Sequence, residues 1–178
     1  LPEIPDHPAY KAVRQVHPSL DRIPAWVSSM GAAVTLADLD GDGLPNDMAH
    51  VDPRTDLVTV APLPGTGERY RPFVLNPSAW TNAVYEPSTL APMGTLAGDF
   101  NEDGALDLLL YFWGRTPLLY LRQSDSRTTK QLAANAFVPH ELTDSGERWY
   151  SNSATQADLD GDGHVDLIVG NYFQDGAR

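Results

Sequence analysis

Short apolar runs, broken by glycine, proline and clustered acids, set the rhythm of the chain. GAAVTLA at 31–37 runs into an acidic segment that MAHV at 48–51 follows. MGTLAG at 93–98 and LLLYFW at 108–113 bracket a second such segment, SATQA at 153–157 and LIVG at 167–170 a third. The runs are leucine-rich, aromatic or β-branched and stop within a few residues at Gly or Pro, which are strand signals. The middle stretch predicts four strands: Met93 to Asp99, Leu106 to Trp113, Leu118 to Arg122 after a Gly-Arg-Thr-Pro turn, and Ala136 to Leu142, whose Pro139 marks an edge. The first stretch predicts its third and fourth strands at Leu57 to Ala61 and Tyr70 to Leu75. Four antiparallel strands per unit make one propeller blade, and the expected fold class is an all-β propeller of such blades. Fifteen prolines and fourteen glycines agree with many short strands over long helices.

The acidic segments repeat. DLDGDGLPND begins at Asp38, DFNEDGALD at Asp99 and DLDGDGHVD at Asp158, so the starts are 61 and 59 residues apart. Together they hold 12 of the 24 acids of the chain. Like charges this close repel unless something neutralises them. A solvated acidic turn would explain Asp-Gly. It does not require Asp or Asn at positions 1, 3 and 5 with Gly at position 6, three times over.

Calcium does. A hard cation takes six to eight oxygens, which such a loop supplies from positions 1, 3 and 5, the carbonyl at 7 and a later carboxylate. The third loop offers Asp158, Asp160, Asp162, the carbonyl of His164, and Asp166. The second offers Asp99, Asn101, Asp103, the carbonyl of Ala105, and Asp107, with Glu102 expected to point to solvent. The first offers Asp38, Asp40, Asp42 and the carbonyl of Leu44, then departs: position 9 is Asn46, and the acid comes one later, at Asp47. Either Asn46 ligates or the loop is one residue longer. Asp47 is preferred, because it directly precedes the apolar stretch as Asp107 and Asp166 do. Gly43, Gly104 and Gly163 permit the sharp turn. An EF-hand is excluded, since the residues at position 12 are Ala49, Leu110 and Val169 in place of its bidentate Glu, and strand signals replace its helices. Each loop is therefore expected to close a β-hairpin whose second strand opens on the last acid. About three Ca²⁺ ions are expected, one per loop, which would halve the net charge of −12.

The pattern D-x-D/N-x-D-G-x-x-D, followed by DLIVGNY, resembles the FG-GAP or VCBS repeat of integrin-α-type β-propellers. GAAVTLADLDGDGLPND, VDPRTDLVTVAPLPGTG and DLIVGNYFQDGAR further resemble bacterial relatives of cartilage acidic protein, a group that often carries an ASPIC/UnbV segment. The resemblance runs from Val27 to the chain end. It implies secreted, calcium-loaded propellers of about seven blades and no established catalytic residues. At about 60 residues per blade the chain accounts for roughly two and a half, so an incomplete portion of a ring is expected. The division reads as an N-terminal arm at 1–26 and blades at about 27–78, 79–145 and a truncated 146–178.

Charge and composition narrow the function. Lys plus Arg number 12 against 24 acids, so nucleic acid and anionic membrane surfaces are poor partners. No apolar run is long enough to span a bilayer. Cysteine is absent, which excludes disulfides, zinc ribbons and thiol nucleophiles. Leu1 to Tyr10 carries no targeting signal, and the lack of an initiating Met suggests a mature N-terminus or a fragment. His7, His17, His50, His140 and His164 show no metal spacing and read as surface or turn residues. No G-x-S-x-G elbow, G-x-G-x-x-G or P-loop occurs, and no enzyme is expected. Trp26, Trp80, Trp113 and Trp149 read as blade packing before sugar binding. The expectation is a non-catalytic, calcium-binding scaffold for protein–protein interaction in an extracytoplasmic, periplasmic or secreted, bacterial setting. Its partner would be another protein or the remainder of the same polypeptide. The alternative is a lectin or polysaccharide-acting enzyme on the same fold, since propellers host both.

Overall fold

A computed structural model describes residues 16–24, 33–52, 55–79, 85–123, 132–144 and 146–173. Most of the expected N-terminal arm, with His7, and also Trp26 and Trp80, lie outside the described residues.

The chain is all-β. Strands β1 (Ala33–Ala37), β2 (Asp47–Asp52), β3 (Leu57–Pro62) and β4 (Phe73–Leu75) form one antiparallel sheet in the order β1-β2-β3-β4. Strands β5 (Ala91–Gly98), β6 (Asp107–Trp113), β7 (Leu118–Arg122) and β8 (Phe137–Glu141) form a second in the same order. Strands β9 (Ser151–Ala157) and β10 (Asp166–Asn171) pair as a third. Two four-stranded meanders and a further hairpin are the organisation of propeller blades. Each acidic loop closes the hairpin expected of it, and Asp47, Asp107 and Asp166 open β2, β6 and β10. β8 is an edge strand, which accommodates Pro139 opposite Tyr120. β4 begins at Phe73 and not at the expected Tyr70. Tyr70, ahead of the strand, donates its hydroxyl to the carboxylate of Asp47, 23 residues earlier.

The sheets stack face to face. β6 reads as a continuous apolar run because both its faces are covered. Leu108, Leu110 and Phe112 point into the core shared with Ala49, Val51, Val58 and Val60 of the first sheet. Trp113 points the other way, into a cluster with Tyr150 and Phe173, where the three rings meet edge to face at 4.5–5.6 Å between centroids. Polar bonds join the stack at its first strands. Gln156 Nε2 donates to the Ala97 carbonyl at 3.1 Å, and Thr35 reaches Thr95 in the same way one sheet earlier. Val34 and Leu36 on β1, with Ile168 on β10, face outward from the ends of the stack and are exposed. Among the described residues no helix is long and apolar enough to cross a membrane.

Candidate metal centre

The three acidic loops share one backbone. Position 6 is a left-handed glycine in each, with φ of 90° at Gly43, 81° at Gly104 and 90° at Gly163. Position 4 is left-handed too, at Gly41, Glu102 and Gly161. Glu102 therefore adopts a conformation that glycine takes more cheaply. It is exposed, as expected, but its Oε1 lies 2.5 Å from His164 Nδ1, which ties the second loop to the third. That contact raises the His164 pKa through the hydrogen bond to Glu102 and its charge.

The carboxylates hold these turns by accepting backbone amides. Asp38 Oδ2 accepts from Gly43, Asp99 Oδ2 from Gly104 and Asp158 Oδ2 from Gly163, at 2.7–3.0 Å. Position 3 accepts the amide of position 5, in Asp40, Asn101 and Asp160. Position 5 accepts that of position 7, in Asp42, Asp103 and Asp162. The final acid reaches back across the loop to position 2: Asp47 Oδ2 to Leu39, Asp107 Oδ2 to Phe100 and Asp166 Oδ2 to Leu159. Asp47 thus fills the role of Asp107 and Asp166. Asn46 does something else, donating its Nδ2 to Asp42 Oδ2 at 3.2 Å and its backbone amide to the Leu44 carbonyl at 2.8 Å.

The loops differ in what remains for a cation. In the third, oxygens of Asp158, Asp160 and Asp162 lie within 4.8 Å of one another and all three residues are exposed. The donors are all oxygens, which suits a hard divalent ion. The second loop repeats the same amide pattern, with Asp107 buried at its base. Burial pushes the Asp107 carboxyl above its ordinary value, against the amides of Arg122 and Phe100. The third loop's gathered oxygens suit a calcium ion, which Asp158, Asp160, Asp162, Asp166 and the His164 carbonyl would hold; the corresponding groups of the second loop are Asp99, Asn101, Asp103, Asp107 and the Ala105 carbonyl.

The first loop does not fit so simply. Oxygens of Asp38, Asp40 and Asp47 gather within 4.8 Å. Yet Arg69, from the connection between β3 and β4, lays its guanidinium across them. Its Nη1 donates to Asp40 Oδ2 at 2.5 Å and Asp42 Oδ2 at 3.0 Å, its Nη2 to Asp47 Oδ1 at 2.6 Å and the Asn46 carbonyl at 2.8 Å. Burial works against the charge of Arg69, but Asp47, Asp40 and Asp42 outweigh it and raise its pKa. Burial raises the pKa of Asp40, with Asp47 adding to the effect and Arg69 opposing it. The hydrogen bond from Asn46 leads in lowering that of Asp42. Tyr70 completes the shell with its hydroxyl 2.9 Å from Asp47 Oδ1. Arg69 and Tyr70 were invisible to the repeat, because they stand outside it.

The other candidates fall into place as packing and surface. His17 caps a 3-10 turn at Pro18–Leu20 with its own ring nitrogen. His50 pairs with Thr59 inside the first sheet, and His140 is exposed on β8. Trp113 is buried among rings, and Trp149 donates to Glu147 at 3.0 Å.

The FG-GAP repeat family matches residues 150–178, the segment that holds β9, the third loop and β10. No curated protein and no solved structure matches the chain.

Proposed function

We propose that the chain is part of a non-catalytic, calcium-stabilised β-propeller of the FG-GAP kind that serves as a scaffold for protein–protein contact outside the cytoplasm. The observation that carries this reading is the repetition of one Asp-lined hairpin loop on successive stacked sheets. Glu102 and His164 bring the second and third loops into contact along one edge. An ion in each would neutralise carboxylates that otherwise repel, and would fix the edge of the stack. Millimolar-grade loops of this chemistry suit compartments rich in calcium. The FG-GAP match over the third loop supports the repeat type. The relation to the cartilage acidic protein group rests on the sequence resemblance alone.

The burial of Trp113 speaks for the scaffold role over sugar chemistry. Trp113 is spent on Tyr150 and Phe173 and offers no open stacking face. The experiment pairs calorimetry with a binding panel. The chain should melt higher in calcium than in chelator. It should neither retain nor hydrolyse a panel of soluble polysaccharides. Equal melts in both buffers would remove calcium from the reading, and saturable polysaccharide binding or cleavage would replace the scaffold by the carbohydrate alternative.

A further inference from the structure

The first and third loops form a comparison within one molecule. Their positions 1 to 6 are identical, Asp-Leu-Asp-Gly-Asp-Gly, and the amides of positions 2, 4, 5, 6 and 7 are accepted by the same carboxylate oxygens in both. In each loop one oxygen of positions 3 and 5 and one of the final acid is used by backbone amides. The three oxygens left over in the first loop are Asp40 Oδ2, Asp42 Oδ2 and Asp47 Oδ1. All three accept from Arg69. Among the described residues, no protein group donates to the corresponding Asp160 Oδ2, Asp162 Oδ2 or Asp166 Oδ1 of the third loop.

We infer that Arg69 is the resident cation of the first loop: its guanidinium takes the place of a calcium ion there, so this loop is held without metal, whereas the sister loops are the ones we read as calcium sites. The inference rests on the calcium reading of the second and third loops only for its contrast, not for the role of Arg69 itself.

Three features support it. The guanidinium presents a planar fork of donors, matched to several carboxylate oxygens at once. Its arm is half-buried over Asp47, which is 0% exposed, so the pair is shielded from salt and from competing solvent. The extra residue in this loop is also accounted for. Asn46 gives Arg69 a carbonyl acceptor at 2.8 Å and turns its own amide onto the Leu44 carbonyl, the group a metal would claim at position 7. A calcium ion entering this loop would have to displace a fixed charge already bonded to four oxygens. A loop charged by a side chain is also independent of the calcium supply, so the first sheet would keep its edge where the others loosen.

The test counts ions and melts variants. Equilibrium dialysis against millimolar calcium should find two ions on the chain, three on Arg69→Ala and two on Arg69→Lys, which keeps a charge. In chelator, Arg69→Ala should melt at least ~3 °C below the unmodified chain. Calcium should restore part of that loss, and Arg69→Ala/Asp40→Asn should not be restored. Three ions on the unmodified chain, or no third ion on Arg69→Ala, would overturn the inference. If no form binds calcium, the metal reading of the sister loops fails, and the chelator melt decides: a loss with Arg69→Ala supports the internal cation and no loss refutes it. Should Arg69→Ala not fold, Arg69→Lys and Asp40→Asn in chelator carry the same comparison, since both weaken the pair and both should lower the melt; unchanged melts would refute it.

Discussion

The hydroxyl of Thr35 donates to the carbonyl of Thr95 at 2.6 Å and lies 2.7 Å from the Thr95 hydroxyl. The two residues lie one register step apart on β1 and β5, the first strands of neighbouring sheets, so each turns toward the other from the opposite face of its own strand. A side-chain pair of this kind fixes how far one sheet slides on the next. Apolar packing alone, being non-directional, leaves that offset loose. Thr35→Val keeps the shape and removes the donor. It should cost about 1 kcal/mol, read as a lower urea midpoint with an unchanged slope. Thr35→Ser should recover most of the loss, and equal midpoints for all three forms would show that the pair is incidental.

Phe112 and Val34 are both apolar strand residues, yet they sit at opposite extremes of burial, at 0% and 53% exposed. Phe112→Ala opens a cavity between the first two sheets and should cost about 3–5 kcal/mol. Val34→Ala should stay within about 0.5 kcal/mol. The comparison is made by chemical denaturation. A large effect at Val34 would mean that this outer face is covered in solution.

Gly114 follows β6 with φ of +93°, and a Cβ there would lie 2.4 Å from the Thr89 carbonyl oxygen and 2.8 Å from Leu90 Cδ2. Gly43 has a similar φ of +90° but nothing within 4 Å of its would-be Cβ. Conformational strain alone should cost Gly43→Ala about 1 kcal/mol. Gly114→Ala should cost more, because the obstacle includes backbone that cannot swing aside. Thermal melts of the two variants give the order directly, and the reverse order would contradict the close approach of the Thr89 segment.

Burial pushes the Tyr120 hydroxyl well above its ordinary range, with Arg115 opposing only slightly. The hydroxyl is buried without a hydrogen-bond partner among the described residues. The folded state keeps this proton where the unfolded chain loses it, at about pH 10. Its contribution is therefore complete below pH 10 and declines as pH rises further, toward the raised folded value. Urea midpoints taken at pH 9 and at pH 10.5 should fall for the unmodified chain and fall less for Tyr120→Phe. Parallel declines would show that Tyr120 is reached by solvent.

Asp160 is exposed at the centre of the third loop, and among the described residues no arginine donates to it. Asp160→Asn keeps the amide contact and removes one of the four acidic charges of the loop. In calcium at a hundredfold excess over Kd, one site adds about 2.7 kcal/mol to the stability of the folded state. The variant should lose much of that gain in calcium and match the unmodified chain in chelator. A variant whose melt rises less in calcium than that of the unmodified chain, with the second loop still responding, is the expected pattern. Equal responses by both would place the effective ion elsewhere.

The repeat alone determined the hairpins and their loops. Alternating apolar runs, a left-handed glycine at position 6 and an acid before each second strand are local patterns, so Asp47 could be preferred over Asn46 from its place before β2. The strand content of each sheet was legible for the same reason, since four short runs between breakers leave few other arrangements. Tertiary structure decided what faces the carboxylates of the first loop. Arg69 lies 22 residues from Asp47, and only the path between β3 and β4 carries it across the carboxylates. No local periodicity encodes such a meeting, because the side chain belongs to one element and its acceptors to another. The same holds for Trp113, Tyr150 and Phe173, whose edge-to-face contacts require the third sheet to lie on the second. Charge density could be read along the chain, whereas the choice of counter-charge depended on which long side chain the folded backbone brought within about 3 Å of an acid.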